Sequence, residues 1–297
     1  MDAWPDLPYA EWRETRDTLH MYTQVVGKLR LALSPFEPQW ANVPLYLTAR
    51  GLTTSPVPDG LRTFDCEFDL IGHELVLRTS DGAVERRPLG PRAVADFYRD
   101  VMGMLARLGV DVEISRGPSE VADPIPFAED RTHHSYVPAD ASRFFRVLSQ
   151  ADVVLKEHRA QFNGKAPPVQ FFWGSFDLVT TRFSGRPATP PPGAGTIERY
   201  GGDAEQICGG FWPGHEKFPS AAFFAYGYPK PGGIEQASIR PDEAHWDGDI
   251  GEFVLPYDAV RAAPDPKRAI LDFLESTYDA SATRFGWDPD LLLTEKP

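Results

Sequence analysis

The amino-acid sequence predicts an α+β fold, an internal duplication of a helix/antiparallel-sheet/helix unit whose two copies pack pseudo-symmetrically. Three matches carry this. Val25-Val26-x-Lys28-x-x-x-Ala32 recurs as Val153-Val154-x-Lys156-x-x-x-Ala160. Val43-x-x-Tyr46-x-x-Ala49-x-x-Leu52-x-Thr54 returns as Val169-x-x-Phe172-x-x-Ser175-x-x-Leu178-x-Thr180, and Arg92-Ala93-Val94-x-Asp96-Phe97 as Arg268-Ala269-Ile270-x-Asp272-Phe273. Matches that keep their order and their predicted structure mark a repeated supersecondary unit. A unit whose helices cover one sheet face leaves an apolar surface for its twin to bury.

Residues 1–116 form the first expected unit, 117–139 a connector and 140–297 the second unit. From Thr15 to Leu33, Leu19, Tyr22, Val26, Leu29 and Leu33 recur at helical spacing, and Ser34-Pro35 stops the helix. Val43 to Thr54 has the β-branched and apolar content of a strand. Phe64, Cys66, Phe68 and Leu70 alternate with Asp65, Glu67 and Asp69, a period of two. Turns at Gly72-His73 and Ser80-Asp81-Gly82 lead into strands at 74–78 and 84–88, which makes an antiparallel meander. Pro91 opens a second helix through Phe97, Val101 and Leu105 to Leu108; Gly109 ends it, and residues 110–114 add a strand. Asp123-Pro124-Ile125-Pro126 and Glu129-Asp130 mark the connector.

In the second unit Asp140 or Ser142 caps a helix reaching about Phe162, Asn163-Gly164 ends it, and residues 169–183 form strand. Between the matched leucine and the last matched arginine lie roughly 40 residues in the first copy and roughly 90 in the second. The second copy therefore holds an insertion at about 185–220, and loops that packing does not demand tend to carry function. Residues 222–228 and 252–255 resume strands, and 266–286 form the closing helix.

Composition narrows the class. A chain of 297 residues that is 42% hydrophobic can bury one large core or two coupled ones. A net charge of −13 repels polyanions, and no local basic patch offsets it, so nucleic acid is not an expected partner. The start Met1-Asp2-Ala3-Trp4-Pro5-Asp6 lacks a signal-peptide pattern and no window has the roughly 18 apolar residues of a membrane span, so a cytoplasmic protein without membrane attachment is expected. Cys66 and Cys208 read as free thiols, and no CxxC spacing exists. Glycine motifs for phosphates or dinucleotides are absent in spacing and context, so no cofactor is predicted.

Candidate site residues follow from chemistry and place. Arg16, His20, Gln24 and Lys28 form one i, i+4 polar stripe that reads first as a wet helix face and second as a site for an anionic ligand. Asp65, Glu67 and Asp69, about 7 Å apart along a strand, hold a hard cation only with further oxygen ligands. His133 and His134 lie in a loop, where hydrogen bonding is the ordinary role. Trp173 and Trp212, flanked by glycines among many aromatics, suit the walls of a pocket for a flat organic ligand. Asp177, Arg182 and Arg50 sit on or just after matched strands, where a cleft would let them position a carboxylate or shuttle a proton.

The strings Gln24-Val25-Val26-Gly27-Lys28, Val43-Pro44-Leu45-Tyr46-Leu47-Thr48-Ala49-Arg50-Gly51-Leu52, Phe171-Phe172-Trp173-Gly174-Ser175-Phe176-Asp177-Leu178 and Gly210-Phe211-Trp212-Pro213-Gly214 resemble those of a bacterial family catalogued only as a domain of unknown function. The resemblance spans nearly the whole chain and brings no reaction with it. The leading expectation is a cytosolic enzyme of acid/base type acting on an organic substrate, an anionic one among the candidates, where the copies meet. His20, Lys28, Arg50, His134, Asp177 and Arg182 are the catalytic candidates, and Trp173, Trp212 and Tyr46 the ligand-binding ones. A non-catalytic binding or sensor protein is the alternative, and a metal-dependent enzyme using the carboxylates or histidines the third.

Overall fold

A computed structural model describes residues 4–293; the outermost ends of the two expected units, 1–3 and 294–297, lie outside the described residues. The chain opens with α1 (Tyr9–Leu33) and continues through β1 (Tyr46–Leu47), β2 (Gly51–Thr53), β3 (Val57–Asp59), β4 (Arg62–Asp69), β5 (Glu74–Thr79) and β6 (Val84–Pro88) to α2 (Val94–Arg107). The remainder comprises α3 (Pro138–Ala160), β7 (Gln170–Phe172), β8 (Asp177–Pro187), α4 (Thr196–Gly201), β9 (Ala204–Trp212), β10 (Ala222–Tyr228), β11 (His245–Asp247), β12 (Glu252–Pro256), α5 (Tyr257–Ala262) and α6 (Pro266–Phe285). This is the mixed helix and antiparallel-sheet content of an α+β fold.

The strands build two antiparallel six-stranded sheets. The first runs β1-β2-β4-β5-β6 with β3 paired to β4, and the second runs β11-β12-β10-β9-β8-β7. Leu45 and Phe171 exchange both backbone hydrogen bonds at 2.9 Å, joining the sheets edge to edge. The helices pack in the order α2-α1-α3-α6, and α3 and α6 cover one face of the second sheet. One hydrophobic cluster runs through both halves, from Phe64 and Phe68 through Val25 and Phe144 to Phe211 and Phe273.

Burial overrides local preference in α1. Its β-branched Val25 and Val26 disfavour helix slightly, but both are fully buried together with Leu19, Tyr22 and Leu29. The expected wet stripe is buried as well: Arg16, His20, Gln24 and Lys28 are each at most 6% exposed. The reason is that α1 lies between α2, α3, β3, the 173–176 turn and the connector, so no side of its middle faces solvent.

Other expectations move for local reasons. Residues 43–54 and 169–183 each fold as a hairpin, β1-β2 and β7-β8, and not as one strand. Residues 110–114 form no strand. The N-cap of α3 is Val137 with Pro138 at the first turn, in place of Asp140 or Ser142. Most important, the stretch read as an insertion contains β9, the strand between β8 and β10; only 188–203, including α4, stand apart from the sheet.

At the centre of the second sheet Gly210 pairs with Phe224, whose ring covers the space a side chain would take. A Cβ there would overlap the Leu178 carbonyl oxygen and the Phe224 ring. Gly210→Ala is therefore expected to cost about 1–3 kcal/mol, read as a lower urea midpoint at unchanged slope. An unmoved midpoint would show that β9 has room to spare. Among the described residues, no helix is long and apolar enough to cross a membrane.

Candidate functional site

Strand alternation divides β8. Leu178, Thr180 and Arg182 point to the helices, while Asp177, Val179, Thr181 and Phe183 point to the opposite, outer face. The register sets Thr181 beside Cys208 and Cys208 beside Tyr226, and β12 brings Glu252 alongside Tyr226. Val179, Cys208 and Phe224 form a small apolar cluster of their own there.

Two cavities open on this face, about 360 and about 720 Å³. They meet at Glu120, Gly174, Ser175, Asp177 and Tyr226, so they form two lobes of one groove. Phe172, Trp173, Val179, Phe183 and Tyr228 wall the first lobe. Its far end is closed by α4 and the single turn Pro38–Trp40, tied by Trp40 Nε1 donating to the Ile197 carbonyl at 2.9 Å and Gln39 Nε2 to Asp203 at 2.7 Å. The second lobe is polar, with Arg16, His20, His133, His215 and Glu252 around Trp212.

Burial governs the electrostatics. The Asp177 carboxyl is pushed up to about 7 by burial, against the pull of the Ser175 hydroxyl, which donates to it at 2.5 Å. Glu252 is also pushed up to about 7, first by burial and then by the charge of Asp177. Glu120 is raised by burial as well: the residue is exposed at its edges, but its carboxylate rests directly on Gly174, where a methyl group would overlap it. Tyr226 is held well above its ordinary value by Cys208 and burial, and burial pushes the Cys208 thiol up to about 11. At neutral pH the groove thus holds Asp177 and Glu252 near their midpoints beside a protonated phenol and thiol.

His20 has one defined tautomer. Its Nε2 lies 3.0 Å from the Trp173 carbonyl, 2.9 Å from that of Gly174 and 3.1 Å from Gln24 Nε2; carbonyls only accept, so Nε2–H is the donor, and the Gln24 amide gives its hydrogens to the Ser119 and Gly174 carbonyls. Nδ1 is left as the ring's acceptor, and it has no hydrogen-bond partner among the described residues. Burial, then Arg16, lowers the His20 pKa to about 3, so the ring is neutral. Next along the stripe, Gln24 donates to the Ser119 carbonyl at 2.8 Å and accepts from its N–H at 2.9 Å. Lys28 donates to Ser115 at 2.7 Å and Ser119 at 2.9 Å, and burial lowers it to about 8. The stripe therefore pins the connector that carries Glu120. Glu120 and Phe176 are both non-glycine residues at positive φ, 58° and 62°, the kind of backbone strain that clusters at functional sites.

Residues 4–294 match the model of DUF5996, a family of unknown function. The chain belongs to this family. No curated protein and no solved structure matches it.

In this DUF5996 chain the groove gathers four of the nine sequence candidates: His20, Asp177, Trp173 and Trp212. Lys28 stands behind the connector, and its counterpart Lys156 is exposed and paired with Asp152 at 2.6 Å. Arg50 is an exposed partner of Asp69 at 2.6 Å, and Asp65 and Glu67 pair with Arg78, so these carboxylates are spoken for by arginines. His134 is exposed and bonds the Thr132 carbonyl; His133 lines the groove instead, held by Asp130 at 2.7 Å. Arg182 points away from Asp177, donating to the His158 carbonyl and stacking on Tyr278. Tyr46 lies under Arg30, outside the groove. Among the described residues no three His, Cys, Asp or Glu side chains form a metal-holding group.

Sequence reasoning missed Glu120, Tyr226 and Glu252. The signal for Tyr226 was present, since period-two alternation through 222–228 puts it on the face of Phe224. Glu120 follows the connector's course and has no such periodic signal.

Proposed function

We propose that this DUF5996 chain is a small-molecule enzyme of acid/base type, with Asp177 and Glu252 as the proton-exchanging pair. The observation that carries the reading is two carboxyls, both raised to about 7, in the wall of one groove. Perturbed carboxyls in a cleft mark functional sites, and coupling between them lets one donate a proton while the other accepts. His20 supplies a fixed hydrogen-bond acceptor, and Trp173 and Phe172 offer apolar surface to an organic substrate.

Two coarser readings accompany it. The free, buried thiols of Cys66 and Cys208 fit a reducing cytoplasm. Shared topology supports descent from a duplicated unit: each half runs helix, antiparallel meander, helix, and the joining pair Leu45 and Phe171 occupies equivalent positions in the matched segments. Val94 and Ile270, and Phe97 and Phe273, are buried alike; Val25 and Val153 are not, because only α1 is enclosed on all sides.

The test is turnover of a metabolite mixture at pH 7 followed by mass spectrometry. Asp177→Asn and Glu252→Gln are each expected to lower turnover about 100-fold or more while retaining the fold. Ligand binding in the groove without any product would assign it to a sensor. Turnover untouched by either substitution would end the acid/base reading.

A further inference from the structure

The charge pattern of the groove leads to a ligand class. Two carboxyls, Glu120 and Asp177, stand at the waist between the lobes, and a third, Glu252, lines the polar lobe beyond it. The nearby cations have partners, with Arg16 Nε the one buried nitrogen among them left without a hydrogen bond among the described residues. Arg16 pairs with Asp17 at 2.9 Å and lies over Phe176, Lys165 donates to Gln39 at 2.8 Å and lies over Phe183, and His133 is held by Asp130. Lys217 stands at the outer end of the polar lobe and is exposed. An anion at the waist would meet like charge from Glu120 and Asp177. A cation there would face carboxylates and the rings of Phe172 and Tyr226, the kind of surroundings that recognise organic ammonium groups.

A second, independent feature lies one step along the sheet. Gln170 is 4% exposed, lines the apolar lobe, and its side-chain Nε2 has no hydrogen-bond partner among the described residues. A buried amide nitrogen left unpaired is costly, so a ligand that pairs with it gains affinity. Gln170 pairs with Val179, two residues along β8 from Asp177, which sets the amide roughly 7 Å from the carboxyl.

Resting on the groove as the substrate site, we infer that its ligand is an organic ammonium compound whose charged nitrogen sits at Glu120 and Asp177, on the side of Glu252. An apolar body lies along Phe172 and Val179, and a hydroxyl or carbonyl at its far end meets Gln170. Carboxylate pairing fixes the nitrogen, the aromatic walls take the body, and the amide reads the length.

Tyramine, tyrosol and 4-hydroxyphenylacetate share one body and differ only in the charge of the tail, so titration calorimetry of the full chain with these three is the test. Tyramine is expected to bind about tenfold more tightly than tyrosol, with 4-hydroxyphenylacetate weakest. Asp177→Asn should remove most of that preference, and should also remove the proton release seen when tyramine heats are compared across buffers. Gln170→Leu should weaken tyramine but spare 2-phenylethylamine, which lacks the far hydroxyl. Equal binding of all three, or tighter binding of the acid, would overturn the ammonium assignment and leave the groove a binding site. Failure of all three at millimolar concentration would overturn the assignment and the site together.

Discussion

Trp173→Ala is expected to lower stability by about 3–5 kcal/mol. Trp173 is 5% exposed, donates from Nε1 to the Val43 carbonyl at 2.9 Å, and carries the Lys28 ammonium 5.3 Å above its ring. Its ring lies against Gly27, where a Cβ would overlap three ring atoms. This contact inverts the usual effect of a helical glycine. Gly→Ala inside a helix ordinarily gains about 1 kcal/mol, but Gly27→Ala must push Trp173 away and should destabilise. In the Trp173→Ala background the obstacle is gone and the same substitution should stabilise. Urea unfolding of the four proteins reads this cycle; a Gly27→Ala change of the same sign in both backgrounds would refute the contact.

The second large effect depends on pH. Asp177→Asn is expected to raise stability at pH 8 by on the order of 2 kcal/mol and to leave it nearly unchanged at pH 4. The Asp177 pKa is raised in the folded chain, from 3.8 to about 7. Between those values the folded state holds a proton that the unfolded state releases, so stability falls as pH rises through the interval. Below it both states are protonated and asparagine changes little; above it the substitution removes the cost of a buried charge. His20 acts with the opposite sign, since its lowered pKa makes stability fall on acidification below 6.5. The difference between wild type and Asp177→Asn isolates the carboxyl from that background. Glu252→Gln should act in the same direction, and the double variant should gain less than the sum, because each charge is part of the other's penalty. A gain independent of pH would mean that Asp177 titrates normally. A variant that stabilises while abolishing turnover is the mark of a site built against stability.

Periodicity made the fold legible. The alternation at 64–70 became β4, 222–228 became β10 as expected, and the closing helix ends at Gly286 in the left-handed conformation. Where two short strands form a hairpin inside one apolar run, as at 43–54, propensity cannot mark the turn. β9 falls inside the expected insertion because that expectation rests on the extra length between the matched leucine and arginine; the lack of side chains at Gly209 and Gly210 is what lets Phe224 and Leu274 pack over the strand. In the site, residue type selected Asp177 and the tryptophans, but parity decides which face a strand residue occupies. Asp177 and Arg182 are five apart and so lie on opposite faces of β8, a separation readable from the numbering. The burial of the α1 stripe is a tertiary property, set by a connector more than 80 residues downstream.

The Leu45 and Phe171 exchange has a consequence for solubility. Two separate antiparallel sheets would present four strand margins with unsatisfied amides, each able to recruit another chain. Zipping β1 to β7 removes the two innermost. The outer two are defended differently: β6 carries Glu85, Arg86 and Arg87 and terminates at Pro88, and β11 is only three residues long. The molecule thereby keeps a broad pleated surface for its groove without offering a template for fibrils.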